Sequence, residues 1–133
     1  MHFPDSNGHR VSVLGYSPKR KWLFVASHFQ SVSIWDLKNK VKIAVLEGKN
    51  SPITDIALSP CENFLAIAYQ ITTAIEVNLK SFVVEREYVE HPIYVSSLAY
   101  SPNGTQLVTA GFGYVRIYET KTHKCIPIDR LEW

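Results

Sequence analysis

The sequence predicts an all-β chain built from three copies of one four-stranded unit, and three observations carry that prediction. The dipeptide Ser-Pro recurs at 17–18, 59–60 and 101–102, a period of 42 residues. Around it stand three related segments, VSVLGYSPKRKWLFVAS, ITDIALSPCENFLAIAY and VSSLAYSPNGTQLVTAG. No stretch keeps the i, i+3, i+4, i+7 apolar spacing of an amphipathic helix for long enough to matter. A fixed period of this length points to a propeller or a solenoid.

Taken in order, residues 1–8 read as a polar lead-in and the first copy begins at His9. Its first strand carries apolar residues at Val11, Leu14 and Tyr16, and the same places hold Ile53, Ile56, Leu58 and then Val95, Leu98, Tyr100. Identical spacing predicts identical burial. The Ser-Pro turn reverses the chain because proline presets φ, and in the third copy Asn103-Gly104 tolerates positive φ beside it. Five residues past each turn proline stand Leu23, Leu65 and Leu107; eight past it stand Ala26, Ala68 and Ala110. A leucine kept large and an alanine kept small suggest one packed layer that a neighbouring sheet approaches closely.

The third strand follows a second tight turn, Phe112-Gly113 in the last copy, and alternates like a half-buried strand: Val32, Ile34; Ile75, Val77; Val115, Ile117. A fourth run closes each unit, KIAVL at 42–46, FVVER at 82–86 and KCIPI at 124–128. Pro127 has no N–H to give a ladder, so this strand should be the outer edge of its sheet. Each copy thus supplies four antiparallel strands, and radially repeated four-stranded sheets are the architecture these facts allow.

Gly8-His9, Ser17-Pro18, Ser27 and Trp35-Asp36 stand at the spacings of a WD repeat. From His9 onward the chain resembles three consecutive, degenerate WD-repeat blades, approximately 9–48, 49–90 and 91–133. The resemblance implies a WD-repeat-like β-propeller segment, an incomplete ring in one chain. It also implies a buried polar set in each blade: a His before the first strand, a Ser or Thr in the second, an Asp in the next turn and the Trp of the third. The first copy offers His9, Ser27 and Trp35 without the Asp; the second has Tyr69 and Asn78; the third has His91, Gly111 and Tyr118. None of the three is expected to complete the set.

Three blades fall short of the 4 to 8 of a ring. Both ends of such an arc would expose flat apolar sheet faces. Three solutions are open: further blades from a longer or separate polypeptide, a second copy closing a ring of six, or an isolated arc, which lacks the polar caps that repeat proteins need.

In a propeller of this family the turns fall on two rims. On one, the sequence places His28, Phe29, Tyr69, Phe112 and Tyr114, with His9-Arg10 and His91-Pro92 beside them, the composition of a protein-binding surface. The bland alternative is that Phe29 and Tyr114 tuck inward in place of the missing Asp. The other rim collects Lys19, Arg20, Lys21, Lys38, Lys40, Lys42, Lys80, Lys121 and Lys124, with His123. It would suit an acidic partner such as nucleic acid, an anionic headgroup or an acidic protein tail, or simply keep the turns soluble.

Composition excludes little else. Apolar residues make up 46% of the 133, enough for a core, and a net charge of +2 dictates no partner. No 18-residue apolar span and no secretory apolar region are present, which predicts a cytoplasmic or nuclear protein. Cys61 and Cys125 lack metal or CxxC spacing and read as free thiols. The histidines are scattered, and no HExxH, GxSxG, P-loop or GxGxxG motif occurs. Asp55, Glu76 and Glu85 lie on strands, where carboxylates face solvent or pair with residues such as Arg86 or Arg116. No catalytic residue, cofactor or metal is expected. The sequence reads as a non-catalytic protein-interaction scaffold, with an anion-recognising module docking through the basic rim as the alternative.

Overall fold

The computed structural model describes residues 11–27, 31–89, 91–122 and 124–126. Twelve strands are found there: β1 (Val11–Ser17), β2 (Trp22–Ser27), β3 (Val32–Asp36), β4 (Val41–Leu46), β5 (Ile53–Leu58), β6 (Phe64–Tyr69), β7 (Ala74–Asn78), β8 (Val83–Tyr88), β9 (Ser97–Tyr100), β10 (Gln106–Gly111), β11 (Tyr114–Glu119) and β12 (Cys125–Ile126). They form three antiparallel sheets in the orders β1-β2-β3-β4, β5-β6-β7-β8 and β9-β10-β11-β12. The fourth strand is an edge of each sheet, as the sequence predicts, although β12 is only two residues long and Pro127 lies outside the described residues.

The 42-residue period is also the register. Phe24 pairs with Ile34, Ala66 with Glu76 and Val108 with Ile117, at the same step of each second-to-third strand ladder. The Ser-Pro turns of the second and third blades close alike. Glu62 N–H reaches Ser59 C=O and Gly104 N–H reaches Ser101 C=O, at 2.8 and 2.9 Å. Glu62 (φ 63°) and Gly104 (φ 76°) both hold the left-handed conformation. The first turn closes one residue later, with Lys21 N–H on Ser17 C=O and positive φ at Lys21.

The sheets stack with the middle blade between the other two. The first interface joins Phe24, Ala26, Val32 and Ile34 of the first blade to Ile56, Leu65, Ile67, Tyr69, Ile75 and Val77 of the second. The other joins Ala66, Ala68 and Ala74 of the second blade to Leu98, Leu107 and Tyr118 of the third. Each blade therefore offers its leucine face to the blade before it and its alanine face to the blade after it. First strands are tied across the interfaces by Ser12 Oγ to Ile53 C=O (3.3 Å), Thr54 Oγ1 to Val95 C=O (2.6 Å) and Leu98 N–H to Asp55 Oδ2 (2.7 Å).

Equal spacing does not give equal burial. Ile56 and Leu98 are 8% and 7% exposed, but Leu14 at the same position of the first blade is 61% exposed, and Val11 and Tyr16 are exposed with it. Among the described residues no sheet packs against that face. Leu65 and Leu107 are fully buried and Leu23 only partly; Ala26 and Ala68 are fully buried and Ala110 only partly, because its face looks outward from the third blade. The third strand of the middle blade is not half-buried either: Ala74, Ile75, Glu76 and Val77 are all buried, since that blade has a neighbour on each side.

Candidate functional site

The two rims differ in kind. On the rim opposite the Ser-Pro turns, the segment before β9 is fastened to the middle blade by Val95 N–H on Ile71 C=O (3.2 Å), and Ser96 N–H bonds Ala110 C=O (2.8 Å). The β10–β11 hairpin is anchored to it by Tyr114, whose hydroxyl donates to Tyr94 C=O at 3.2 Å. Gly111 is required at this point: a Cβ there would lie 2.3 Å from the Tyr114 ring and 2.4 Å from Tyr94 O. Clamped in this way, the loops hold Phe112 81% exposed, with Ile71, Ile93 and Tyr94 also exposed.

Among the described residues proposed from sequence for this rim, Phe112 is exposed, and so is Pro92 beside it. Tyr114 is half-buried, its ring 5.8 Å from that of His91. Tyr69 is 1% exposed and belongs to the core between the first two blades, where burial pushes its hydroxyl pKa up to about 12; it offers no surface to a partner. The reason is that Tyr69 ends β6 on the leucine face and points at the first blade rather than at the rim. His28 and Phe29 lie outside the described residues. Ile93 and Tyr94 went unnoticed in the sequence, although apolar residues in a predicted loop were a usable signal.

His91 is buried too, and it joins Thr109 and Tyr118 in a partial polar set, still without the turn Asp. Its Nδ1 lies 2.8 Å from Thr72 C=O, and its Nε2 lies 3.1 Å from Thr109 Oγ1 and 3.3 Å from the Tyr118 hydroxyl. The carbonyl can only accept, so Nδ1 carries the proton and Nε2 accepts from a hydroxyl. Burial holds the His91 pKa below its ordinary value, in keeping with that neutral form. The Thr partner sits two residues before Gly111, the position assigned from sequence.

The Ser-Pro rim is basic. Lys19, Lys21, Lys38, Lys40, Lys42, Lys80, Lys121 and Lys124 are exposed. Arg20 is half-buried and committed: its guanidinium bonds Glu62 C=O and Asn63 Oδ1 and lies 5.0 Å from the Trp22 ring. Lys42 lies 5.8 Å from the Trp35 ring. The strand carboxylates do not converge on a reacting centre. Asp55 accepts from Ile56 and Leu98 N–H, Glu76 from the Tyr100 hydroxyl at 2.6 Å, and Glu85 from Asn78 Nδ2. Glu76 is buried rather than solvent-facing, and that burial raises its pKa despite the Tyr100 hydrogen bond.

A cavity of about 260 Å³ opens on this rim between the second and third blades, lined in part by Ser59, Cys61, Glu76, Arg86, Gly104 and Lys121. Arg86 Nε is buried there without a hydrogen-bond partner among the described residues. No group of three metal-ligating side chains occurs among the described residues, and no helix among them is long and apolar enough to cross a membrane.

Residues 82–119 match the family described as WD domain, G-beta repeat. The chain is 27% identical over 123 residues to the Periodic tryptophan protein 2 homolog of Dictyostelium discoideum, covering 90% of this chain and 13% of that protein. In fold it is similar to the RRP9 WD40 repeats (TM-score 0.84, 18% identity, 90% of this chain and 38% of that one). It is likewise similar to the Cps50 (Swd1) β-propeller domain of Myceliophteria thermophila (TM-score 0.78, 22% identity, 88% of this chain and 38% of that one). The chain thus spans well under half the length of the proteins it matches. Three repeats of one period and three four-stranded sheets stacked leucine face to alanine face give the chain the fold of three consecutive β-propeller blades, similar to those of WD-repeat proteins.

Proposed function

We propose that this segment is a non-catalytic scaffold that holds other proteins, acting from the cytoplasm or nucleus, and that its contact surface lies on the rim of Phe112. The observation that carries the reading is the fixed display of Phe112 with Ile71, Ile93 and Tyr94. Aromatic and apolar side chains held rigidly on a rim lose little freedom on binding and exclude water from their surroundings. His28 and Phe29 belong to the same proposed surface on sequence grounds, and Tyr114 shapes it from beneath. The two exposed, unpaired cysteines suit a reducing compartment. Phe112→Ala should weaken partner capture strongly and leave thermal unfolding unchanged; undiminished capture would remove this surface from consideration.

The open leucine face of the first blade and the open alanine face of the third are the two halves of the interface already used twice inside the chain. We infer that further blades, or a second copy joined head to tail, complete the ring. Light scattering across a wide concentration range separates the two: a dimer that survives dilution favours a ring of six, and a monomer favours blades from other sequence. The basic rim supports a second reading, docking on phosphoinositide headgroups or nucleic acid, because eight of its nine basic side chains are exposed. Lys38→Glu with Lys40→Glu should then abolish binding to anionic vesicles or oligonucleotides, and binding that persists would exclude it.

A further inference from the structure

The two blade interfaces are closed differently on the Ser-Pro rim. Between the first and second blades the space is filled by Glu62, whose carboxylate accepts from Ser17 Oγ and, at 3.2 Å, from Lys19 N–H. Arg20 reaches across in the other direction to Glu62 C=O and Asn63 Oδ1. Between the second and third blades both fillers are missing from the chain. Gly104 stands where Glu62 stood, and Glu62 itself occupies the Arg20 place but bonds back to the first blade. The cavity described above lies at this point, with Gly104 on its wall.

Its wall repeats the positions that hold Glu62. Ser59 and Cys61 occupy the Ser17 and Lys19 positions of their turn. To them are added the buried, unpartnered Arg86 Nε and the exposed Lys121. Desolvation would raise the Cys61 thiol pKa, yet hydrogen bonds from Ser59 and the Asn63 and Cys61 amides, with Lys19 nearby, hold it below the ordinary value; on the same cavity wall, burial and the nearby Glu85 raise that of Glu76. The first two turns close one residue apart, so a ligand need not retrace the Glu62 path. The positions in the chain are the same.

We propose that this cavity recognises the carboxylate of a single acidic side chain, Asp or Glu, presented by a partner protein. A carboxylate fits because charge-assisted hydrogen bonds from the Arg86 guanidinium and the Lys121 ammonium can reach its two oxygens. Glu76 and Glu85 also line the cavity and decide the class of ligand. Their two charges are matched by Arg86 and Lys121, so the cavity carries no surplus positive charge to draw a run of phosphates. The proposal rests on the scaffold reading only in that a protein delivers the carboxylate, and it is independent of the Phe112 surface on the other rim.

Gly104 supplies the test. Its φ of 76° matches the 63° that Glu62 already adopts. A Cβ there would meet only Pro60, at 3.5 and 3.8 Å, in ordinary contact. Gly104→Glu should therefore seat its own carboxylate in the cavity as Glu62 does next door. The isotope-labelled full chain is titrated with three probes: a blocked Gly/Ser peptide carrying one Glu, its Gln counterpart, and a single-stranded oligonucleotide. The Glu peptide alone should shift the Cys61, Gly104 and Lys121 amides. Arg86→Gln or Lys121→Gln should weaken it about tenfold, the worth of one charged hydrogen bond, and Gly104→Glu should abolish it. Equal response to the Glu and Gln peptides, no response to either, stronger binding of the oligonucleotide, or unchanged binding by a folded Gly104→Glu chain would each overturn the proposal. Lys121 is on an exposed turn, so its variant decides the matter even if Gly104→Glu fails to fold. Failure here leaves the Phe112 surface standing, since capture through that rim is measured with Phe112→Ala.

Discussion

Leu14 and Ile56 hold the same place in consecutive blades and live in opposite surroundings. Ile56 is enclosed between the first two sheets, whereas Leu14 shares an open face with Tyr16, Ile43 and Val45, all exposed. That face repeats the pattern of the leucine face of the middle blade, which is buried. Apolar patterning in a repeat is thus a statement about a neighbour: full burial of such a side chain contributes about 1.5–3 kcal/mol only once another sheet is present.

The comparison can be broken by making the same change on both sides of it. Leu65→Ala in the middle blade should cost about 2–5 kcal/mol, read from the shift of the urea midpoint, and Leu23→Ala at the matching position should cost less than half as much. Equal costs at low protein concentration would mean that the open face is covered in solution, and a Leu23→Ala cost that grows with concentration would identify the cover as a second copy. Charge sharpens the contrast. Ile56→Lys should unfold the chain, because an unpaired ammonium would be buried between sheets. Leu14→Lys should leave the circular dichroism unchanged while removing any self-association seen by light scattering.

Smaller effects separate the third blade from the first. The third holds the His91, Thr109 and Tyr118 set, and His91→Gln should lose about 1–3 kcal/mol, as expected for broken buried hydrogen bonds. Because burial lowers the folded-state pKa of His91, the unfolded chain takes up the proton first. Stability is therefore full above an unfolded histidine pKa of about 6.5 and falls as pH drops below it. His91→Gln should flatten the dependence of the urea midpoint between neutral and mildly acidic pH; an unaltered slope would assign it elsewhere. The least effect is expected at Phe112, where Ala should change stability by less than about 0.5 kcal/mol.

Much of this was legible in the chain. The Ser-Pro period located the turns, and the Leu65/Leu107 and Ala26/Ala68 pairs located the two faces of each sheet. Local chemistry sufficed there because proline and left-handed turn residues act on their own backbone, and a period-two apolar pattern acts on its own strand. The sites were less legible. Tyr69 reads as a rim aromatic until the β5–β6 and β6–β7 registers turn it toward the first blade, and Thr109 was passed over because the polar set was counted to Gly111. The cavity beside Gly104 leaves no motif at all, since it arises from two fillers absent at positions 42 residues apart.

Strand order, turn positions and the face on which each side chain stands follow from the amino-acid sequence, because they depend on contacts within a few residues or across one hairpin. Only the stacking of sheets decided which of those faces are buried, that Glu62 closes one interface while Gly104 leaves a cavity in the next, and that His91 finds Thr109 and Tyr118. Those outcomes depend on what stands across a blade interface, and residues on two separate sheets carry no local signal of how they will meet.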